Sequence, residues 1–271
     1  MQKGKLVGQG RTAEIFEWEG NRILKLFRTG FPKVAVDNEF KVGIELCKKG
    51  LPVPEVDGFV ELEGRYGIIY ERVYGPTMMK FLSSRPWKII NEAQKLAELH
   101  KAIQTFVNAK IPTQKSRVSD SISKSELLTD QVKSNLLQVL KALPEGNVLC
   151  HGDFHPDNII ISDKKVVVID WMTAAIGNPL SDVARTSIIF KFGAVPEHKS
   201  KIETSIINLF RTKFFSEYIK HYVAITGASR NLIEQWEVPM AAARLVEWIP
   251  PTEKERLLGF VEAHIAQQRF V

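Results

Sequence analysis

The sequence predicts an α+β protein in two lobes, a small β-rich amino-terminal lobe over residues 1–72 and a larger, mainly helical carboxy-terminal lobe over residues 73–271. Short runs rich in β-branched and aromatic residues, each closed by a turn signal, crowd the first lobe. Beyond Gly75-Pro76 the spacing of apolar residues turns helical. The 271 residues are 44% hydrophobic and 25% charged, which suits a globular chain of this length and excludes disordered, collagen-like and disulfide-scaffold classes.

Taken in order, Lys5–Gly8, Glu14–Trp18 and Arg22–Phe27 read as strands, broken by Gly8-Gln9-Gly10 and by Gly20-Asn21. Asp37–Lys49 places Phe40, Ile44 and Cys47 on one face and stops at Gly50, an amphipathic helix with a glycine end. Leu51-Pro52-Val53-Pro54 is an extended connector. Val56–Leu62 and Tyr66–Glu71 are strands joined by Glu63-Gly64. In the second lobe Trp87–Val107 reads as a long helix. The Ser- and Lys-rich stretch Thr113–Ser125 reads as a loop, with a helix from about Glu126 to Ala142. Val148–Cys150, Ile159–Ile161 and Val166–Ile169 are short apolar strands around a polar loop. From Leu180 the chain is helical, interrupted at Gly193–Pro196, Gly227 and Pro250-Pro251.

Lys+Arg exceed Asp+Glu by 37 − 31, a net charge of +6, which suits an anionic partner without choosing one. Cys47 and Cys150 sit in apolar segments and read as reduced thiols. Met1–Gly10 lacks the apolar stretch of a signal peptide, and no segment reaches the roughly 18 apolar residues of a membrane span. The expectation is a cytoplasmic protein, monomeric or weakly dimeric, with neither membrane nor nucleic acid as partner.

The segment with the most chemistry is His151-Gly-Asp-Phe-His-Pro-Asp-Asn158. Burying so many polar groups between apolar strands is costly unless they converge on something. Downstream, Val166-Val-Val-Ile-Asp170 ends an apolar strand in a carboxylate. Asn158 and Asp170 are hard oxygen donors of the kind that hold Mg²⁺ on phosphate oxygens. Asp153 is then left to accept a proton from a hydroxyl nucleophile, the division of labour of phosphoryl transfer.

These residues resemble the aminoglycoside phosphotransferase and choline kinase-like superfamily, small-molecule relatives of protein kinases. The family's His-x-Asp-x-x-x-x-Asn loop is matched by His151, Asp153 and Asn158, and its metal-binding Asp by Asp170. Gly177-Asn-Pro-Leu-Ser-Asp182-Val-Ala matches the segment that follows, where the resemblance makes Asp182 a brace for the loop. The resemblance implies a two-lobed protein-kinase-like fold, ATP (or GTP) and Mg²⁺ as cofactors, and a small-molecule alcohol as acceptor. It implies that Gly8 and Gly10 cover the phosphates, with Ala13 replacing the pattern's third glycine. Lys25, which by spacing alone reads equally as a snorkelling surface lysine, becomes the lysine of the α- and β-phosphates. Its helix partner is expected at Glu39, with Glu45 as competitor. The Glu71 carbonyl and Val73 amide would hold the base, and helices from about Pro196 to Val271 the acceptor.

His100 reads as a packed helix histidine, and His155 as a residue that orients the loop or touches substrate. Phe210, Phe214, Phe215, Tyr218 and Tyr222 have the spacing of a helix core face. Glu234, Glu237 and Glu247, with Trp236 and Trp248, offer parts of a site for a cationic acceptor or equally a helix surface. A metallohydrolase built on His151, Asp153 and His155 would need further ligands that the six histidines do not supply as a second cluster. A protein kinase would carry lysine where His155 stands, and an Asp-Phe-Gly where Asp170-Trp171-Met172 stands. A nucleotide-binding pseudokinase or interaction module would not need every matched position filled by its working residue type.

Overall fold

The structure is a computed structural model describing residues 3–107, 111–163, 165–195 and 199–268. Along the chain come β1 (Leu6–Gln9), β2 (Ala13–Trp18), β3 (Arg22–Phe27), α1 (Lys33–Lys48), β4 (Val56–Leu62) and β5 (Arg65–Glu71). Next are α2 (Met78–Ser84), α3 (Ile89–Ile103), α4 (Gln114–Lys124), α5 (Asp130–Ala142), β6 (Val148–Cys150), β7 (Ile159–Ile161) and β8 (Val166–Val168). The series closes with β9 (Ala175–Gly177), α6 (Pro179–Phe192), α7 (Lys201–Thr226), α8 (Arg230–Arg244) and α9 (Pro251–Gln268). The α+β expectation, strands first and helices after, holds. The chain forms two compact units: one takes Met1–Ser84, Val107–Ile111 and Pro156–Ala174, the other Arg85–Phe106, Pro112–His155 and Ala175–Val271.

In the first unit, β1 to β5 form an antiparallel sheet in the order β1-β2-β3-β5-β4. Period-two alternation sorts the central strand β3. Leu24 and Leu26 pack with Phe16 on one face, while Phe27 packs with Val36 of α1 and Ile68 of β5 on the other. Each fully buried leucine contributes about 1.5–3 kcal/mol relative to exposure. Lys25 lies between Leu24 and Leu26, so alternation turns it to the face that carries α1. β7 and β8 form a separate antiparallel hairpin, tied to the connector where Val168 N donates to Pro52 O at 2.7 Å.

In the second unit β6 pairs antiparallel with β9, whose Ala-Ile-Gly sequence carries one β-branched residue between two poor strand formers. The helices pack through the buried aromatic residues Phe214, Tyr218 and Tyr222 of α7, as their spacing implies. The expected loop over Thr113–Ser125 is instead largely helix, α4. Thr113 caps it by accepting from Ser116 N, and Gln114, Val118 and Ile122 bury one face at i, i+4 and i+8. The long helix expected at Trp87–Val107 is shorter, Ile89–Ile103, and Pro86–Lys88 forms a 3-10 turn before it. Pro196 and Val271, which bound the expected acceptor-binding segment, lie outside the described residues.

Candidate active site

Lys25 is nine-tenths buried, and its Nζ stands 2.7 Å from Glu39 Oε1 and 2.7 Å from Asp170 Oδ1. Burial works to lower its pKa, but the two carboxylates outweigh burial and raise it, so Lys25 remains a cation. The snorkelling alternative is excluded by this burial. Glu39 lies on the buried face of α1, where Tyr70 also donates to Oε1 at 3.0 Å. Glu45, the competing partner, instead pairs with Lys48 on the surface.

Gly8 and Gly10 flank the turn from β1 to β2. Gly10 N donates to Ala13 O at 2.8 Å, and Arg28 donates to the Gly10 and Arg11 carbonyls. A Cβ on either glycine would make only ordinary contacts, 3.5 Å to Ile15 at Gly8 and 3.6 Å to Ala13 O at Gly10. The fold itself therefore does not require glycine there. Glu71 ends β5 with its side chain held by Lys165 Nζ at 2.8 Å and its amide donating to Glu55 O. Val73 follows in a half-buried position outside the sheet.

Asn158 and Asp170 flank the β7–β8 hairpin at its open end. Ile169 N donates to Asn158 O at 2.9 Å, which brings the two stretches of chain together. Asn158 is buried, whereas the Asp170 side chain is 38% exposed. Asp170 takes the left-handed conformation, φ 66°, at the turn into Trp171–Thr173. The Asp170 carboxylate beside Lys25 and the Asn158 carboxamide at the same end of the hairpin are hard oxygen donors, a donor set that fits a magnesium ion carried on phosphate oxygens.

The boundary between units falls between His155 and Pro156, so Asp153 belongs to the second unit. Its loop leaves β6 and is held from α6: Asp182 accepts from His151 N at 2.6 Å and from Gly152 N at 2.8 Å. Asp182 also meets His100 Nε2 at 3.1 Å, and His100 Nδ1 meets the Tyr218 hydroxyl at 2.7 Å. His100 is fully buried and stacks on Phe154 with 4.1 Å between centroids, a packed histidine as its setting implied. Asp153 has His155 Nε2 at 3.4 Å and Arg185 Nη2 at 3.9 Å. Burial works to raise the Asp153 pKa, but His155, Arg185 and His151 outweigh it and hold the carboxyl well below the usual carboxylate range.

Several candidates for a cationic acceptor are committed elsewhere. Glu237 is buried and takes Lys191 Nζ at 2.7 Å as well as the Ser187 hydroxyl, and Trp236 is buried. Glu247 is shared by Arg185 at 2.6 Å and Arg244 at 2.9 Å. Glu234 pairs with Arg230 on the surface, and Trp248 is 84% exposed. Arg185 itself was not among the residues the sequence singled out. Its only signal is its place one turn beyond Asp182 on the same helix. Among the described residues no helix is long and apolar enough to cross a membrane.

The phosphotransferase enzyme family model matches residues 5–197. Among curated relatives, acyl-CoA dehydrogenase family member 11 of Rattus norvegicus is 26% identical over 179 residues, 57% of this chain and 23% of that protein. Acyl-CoA dehydrogenase family member 10 of Mus musculus is 24% identical over 261 residues, 86% of this chain and 24% of that protein. The chain thus spans about a quarter of the length of the curated relatives it matches. Among solved structures, an amicoumacin kinase in complex with AMP-PNP, Ca²⁺ and Ami has a TM-score of 0.64 at 14% identity, covering 97% of this chain and 88% of that one. An aminoglycoside-3'-phosphotransferase of type VIII gives 0.60 at 16%, covering 88% and 91%. A choline/ethanolamine kinase family protein from Mesorhizobium loti gives 0.60 at 15%, covering 96% and 86%. At these identities the structures establish a shared protein-kinase-like fold, and with the family model spanning well over half of its length, this chain belongs to the phosphotransferase enzyme family.

Proposed function

We propose that the chain transfers the γ-phosphoryl group of ATP to a hydroxyl of a small molecule in a magnesium-dependent reaction. The observation that carries this reading is the buried Lys25 held between Glu39 and Asp170. A lysine fixed as a cation beside an oxygen-donor hairpin suits phosphate oxygens. Lys25 holds the α- and β-phosphates, the turn at Gly8 and Gly10 covers them, and the Glu71 carbonyl and Val73 amide take the base. Asn158 and Asp170 hold the Mg²⁺, which when bound neutralises charge on the phosphate oxygens. Asp153 orients the acceptor hydroxyl and takes its proton. The amino-terminal lobe, together with the β7–β8 hairpin, thus serves the nucleotide, and helices α7–α9 serve the acceptor.

Neighbours named for amicoumacin and for choline or ethanolamine support a small acceptor over a protein kinase or an inactive binding module. The test is a phosphorylation screen of small alcohols with ATP or GTP and Mg²⁺, read by nucleoside diphosphate release and product mass. The variant Asp153→Asn is run beside the wild type. Turnover should fall by about 10²- to 10⁴-fold while Mg·ATP affinity by calorimetry stays within a few-fold, because the base is separate from the metal ligands. Near-normal transfer by Asp153→Asn would overturn the role given to Asp153.

A further inference from the structure

Helix α6 presents a stripe of side chains to the Asp153 loop. Asp182, Arg185 and Thr186 stand at i, i+3 and i+4, the spacing that stacks residues on one helix face. Asp182 takes the His151 and Gly152 amides, Arg185 Nε donates to the Gly152 carbonyl at 3.1 Å, and the Thr186 hydroxyl donates to the Phe154 carbonyl at 2.8 Å. Gly152 has φ 79°, a left-handed conformation that favours glycine, and both its main-chain polar groups are held by α6. The peptide plane that follows is fixed at both edges. Its oxygen accepts from Arg185, and its N–H, that of Asp153, donates to His151 Nδ1 at 3.2 Å. Fixing that plane limits where the Asp153 side chain can point.

Arg185 is buried, and its Nη2 stands 2.6 Å from Glu247 Oε1 and 3.9 Å from Asp153 Oδ1. The short charge-assisted bond therefore goes to Glu247, while Asp153 gains the nearby positive charge at a distance too long for a hydrogen bond. Glu247 is itself anchored. Its other oxygen accepts from Arg244 Nη1 at 2.9 Å, Arg244 Nε donates to Glu253 Oε1 at 2.7 Å, and Glu253 Oε2 accepts from Ala194 N at 2.9 Å. The planar guanidinium suits this post, because its donors point in set directions towards a carbonyl and a carboxylate at once.

We propose that Arg185 is a positioning residue for Asp153, fixing the Gly152–Asp153 peptide and supplying a fixed cation beside the carboxylate, with Glu247 holding the guanidinium in place. The inference rests on the reading of Asp153 as the group that meets the acceptor hydroxyl. Lysine at 185 keeps the charge, but its three donors rotate on one nitrogen and cannot hold the carbonyl and the carboxylate from two fixed points as the guanidinium does. A misplacement of about 1 Å at the reacting groups is enough to cost about a hundredfold in rate.

The test measures kcat and KM for Arg185→Lys, Arg185→Met and Glu247→Gln. The acceptor is an alcohol identified by the screen, or water with ADP release from Mg·ATP. For Arg185→Met, kcat should fall about a hundredfold, and for Arg185→Lys and Glu247→Gln about tenfold, with KM and calorimetric AMP-PNP affinity within about twofold. Arg185→Ala should recover part of its kcat on addition of millimolar guanidinium, which a purely structural role would not give. If Arg185→Met does not melt cooperatively, Arg185→Lys and Glu247→Gln decide. Folded variants with kcat within about twofold of wild type, or a loss confined to KM, would overturn the inference. Wild-type protein that releases no ADP with any acceptor would instead overturn the phosphotransferase reading, and this inference with it.

Discussion

Asp182 shows how a single buried carboxylate depends on its partners. It accepts from the main chain of His151 and Gly152 and meets His100, whose other nitrogen meets Tyr218. Burial pushes its pKa up, but His100, His151 and the Gly152 amide outweigh burial and hold it below the usual value. A native value below the unfolded one contributes stability that is fully present above about pH 4 and lost as pH falls through the depressed value. Asp182→Asn should therefore cost about 3–5 kcal/mol at pH 7, since it removes a charge that buried donors require. In urea titrations at a series of pH values its deficit against wild type should begin to close below about pH 4; a constant deficit would refute this account. Residue identities in the loop were legible because His151, Asp153 and Asn158 lie within a few residues of one another. Arg185 was not, because an arginine on a helix carries no mark of the carbonyl it will meet.

At the scale of elements, α4 shows where composition misleads. Its many serines and lysines give a polar average, yet Gln114, Val118 and Ile122 recur at helical spacing and are buried. Thr113 closes the amino-terminal end as Thr129 does for α5 and Ser229 for α8. Thr113→Ala should lower stability by about 1 kcal/mol, read as a reduced denaturation midpoint at unchanged slope. No loss would mean that tertiary packing alone defines the start of α4. The strand β9 was illegible for a different reason. It spans Ala175–Gly177, where a single isoleucine stands between alanine and glycine, both poor strand formers, so only its pairing with Val148–Cys150 makes it a strand.

For the whole molecule, the proposed nucleotide residues Lys25, Glu39, Asn158 and Asp170 all fall in the first unit, although the chain between residues 85 and 155 mostly belongs to the second. A ligand bound only by the folded protein stabilises it by mass action, about 2.7 kcal/mol at a hundred times its Kd. AMP-PNP with Mg²⁺ should therefore raise the melting temperature of the wild type and not that of Asp170→Ala. An equal rise in both would remove Asp170 from the metal site.

Fold class, the order of most elements and the residue types of the candidate site are written in local patterns, namely strand alternation, helix spacing and the 151–158 loop. Tertiary structure decided which of those residues meet. Lys25 reaches Asp170 across 145 positions and chooses Glu39 over Glu45, and Arg185 reaches Glu247 across 62. Such pairings arise only when burial brings distant charges together and each must find a partner, so no local pattern announces them.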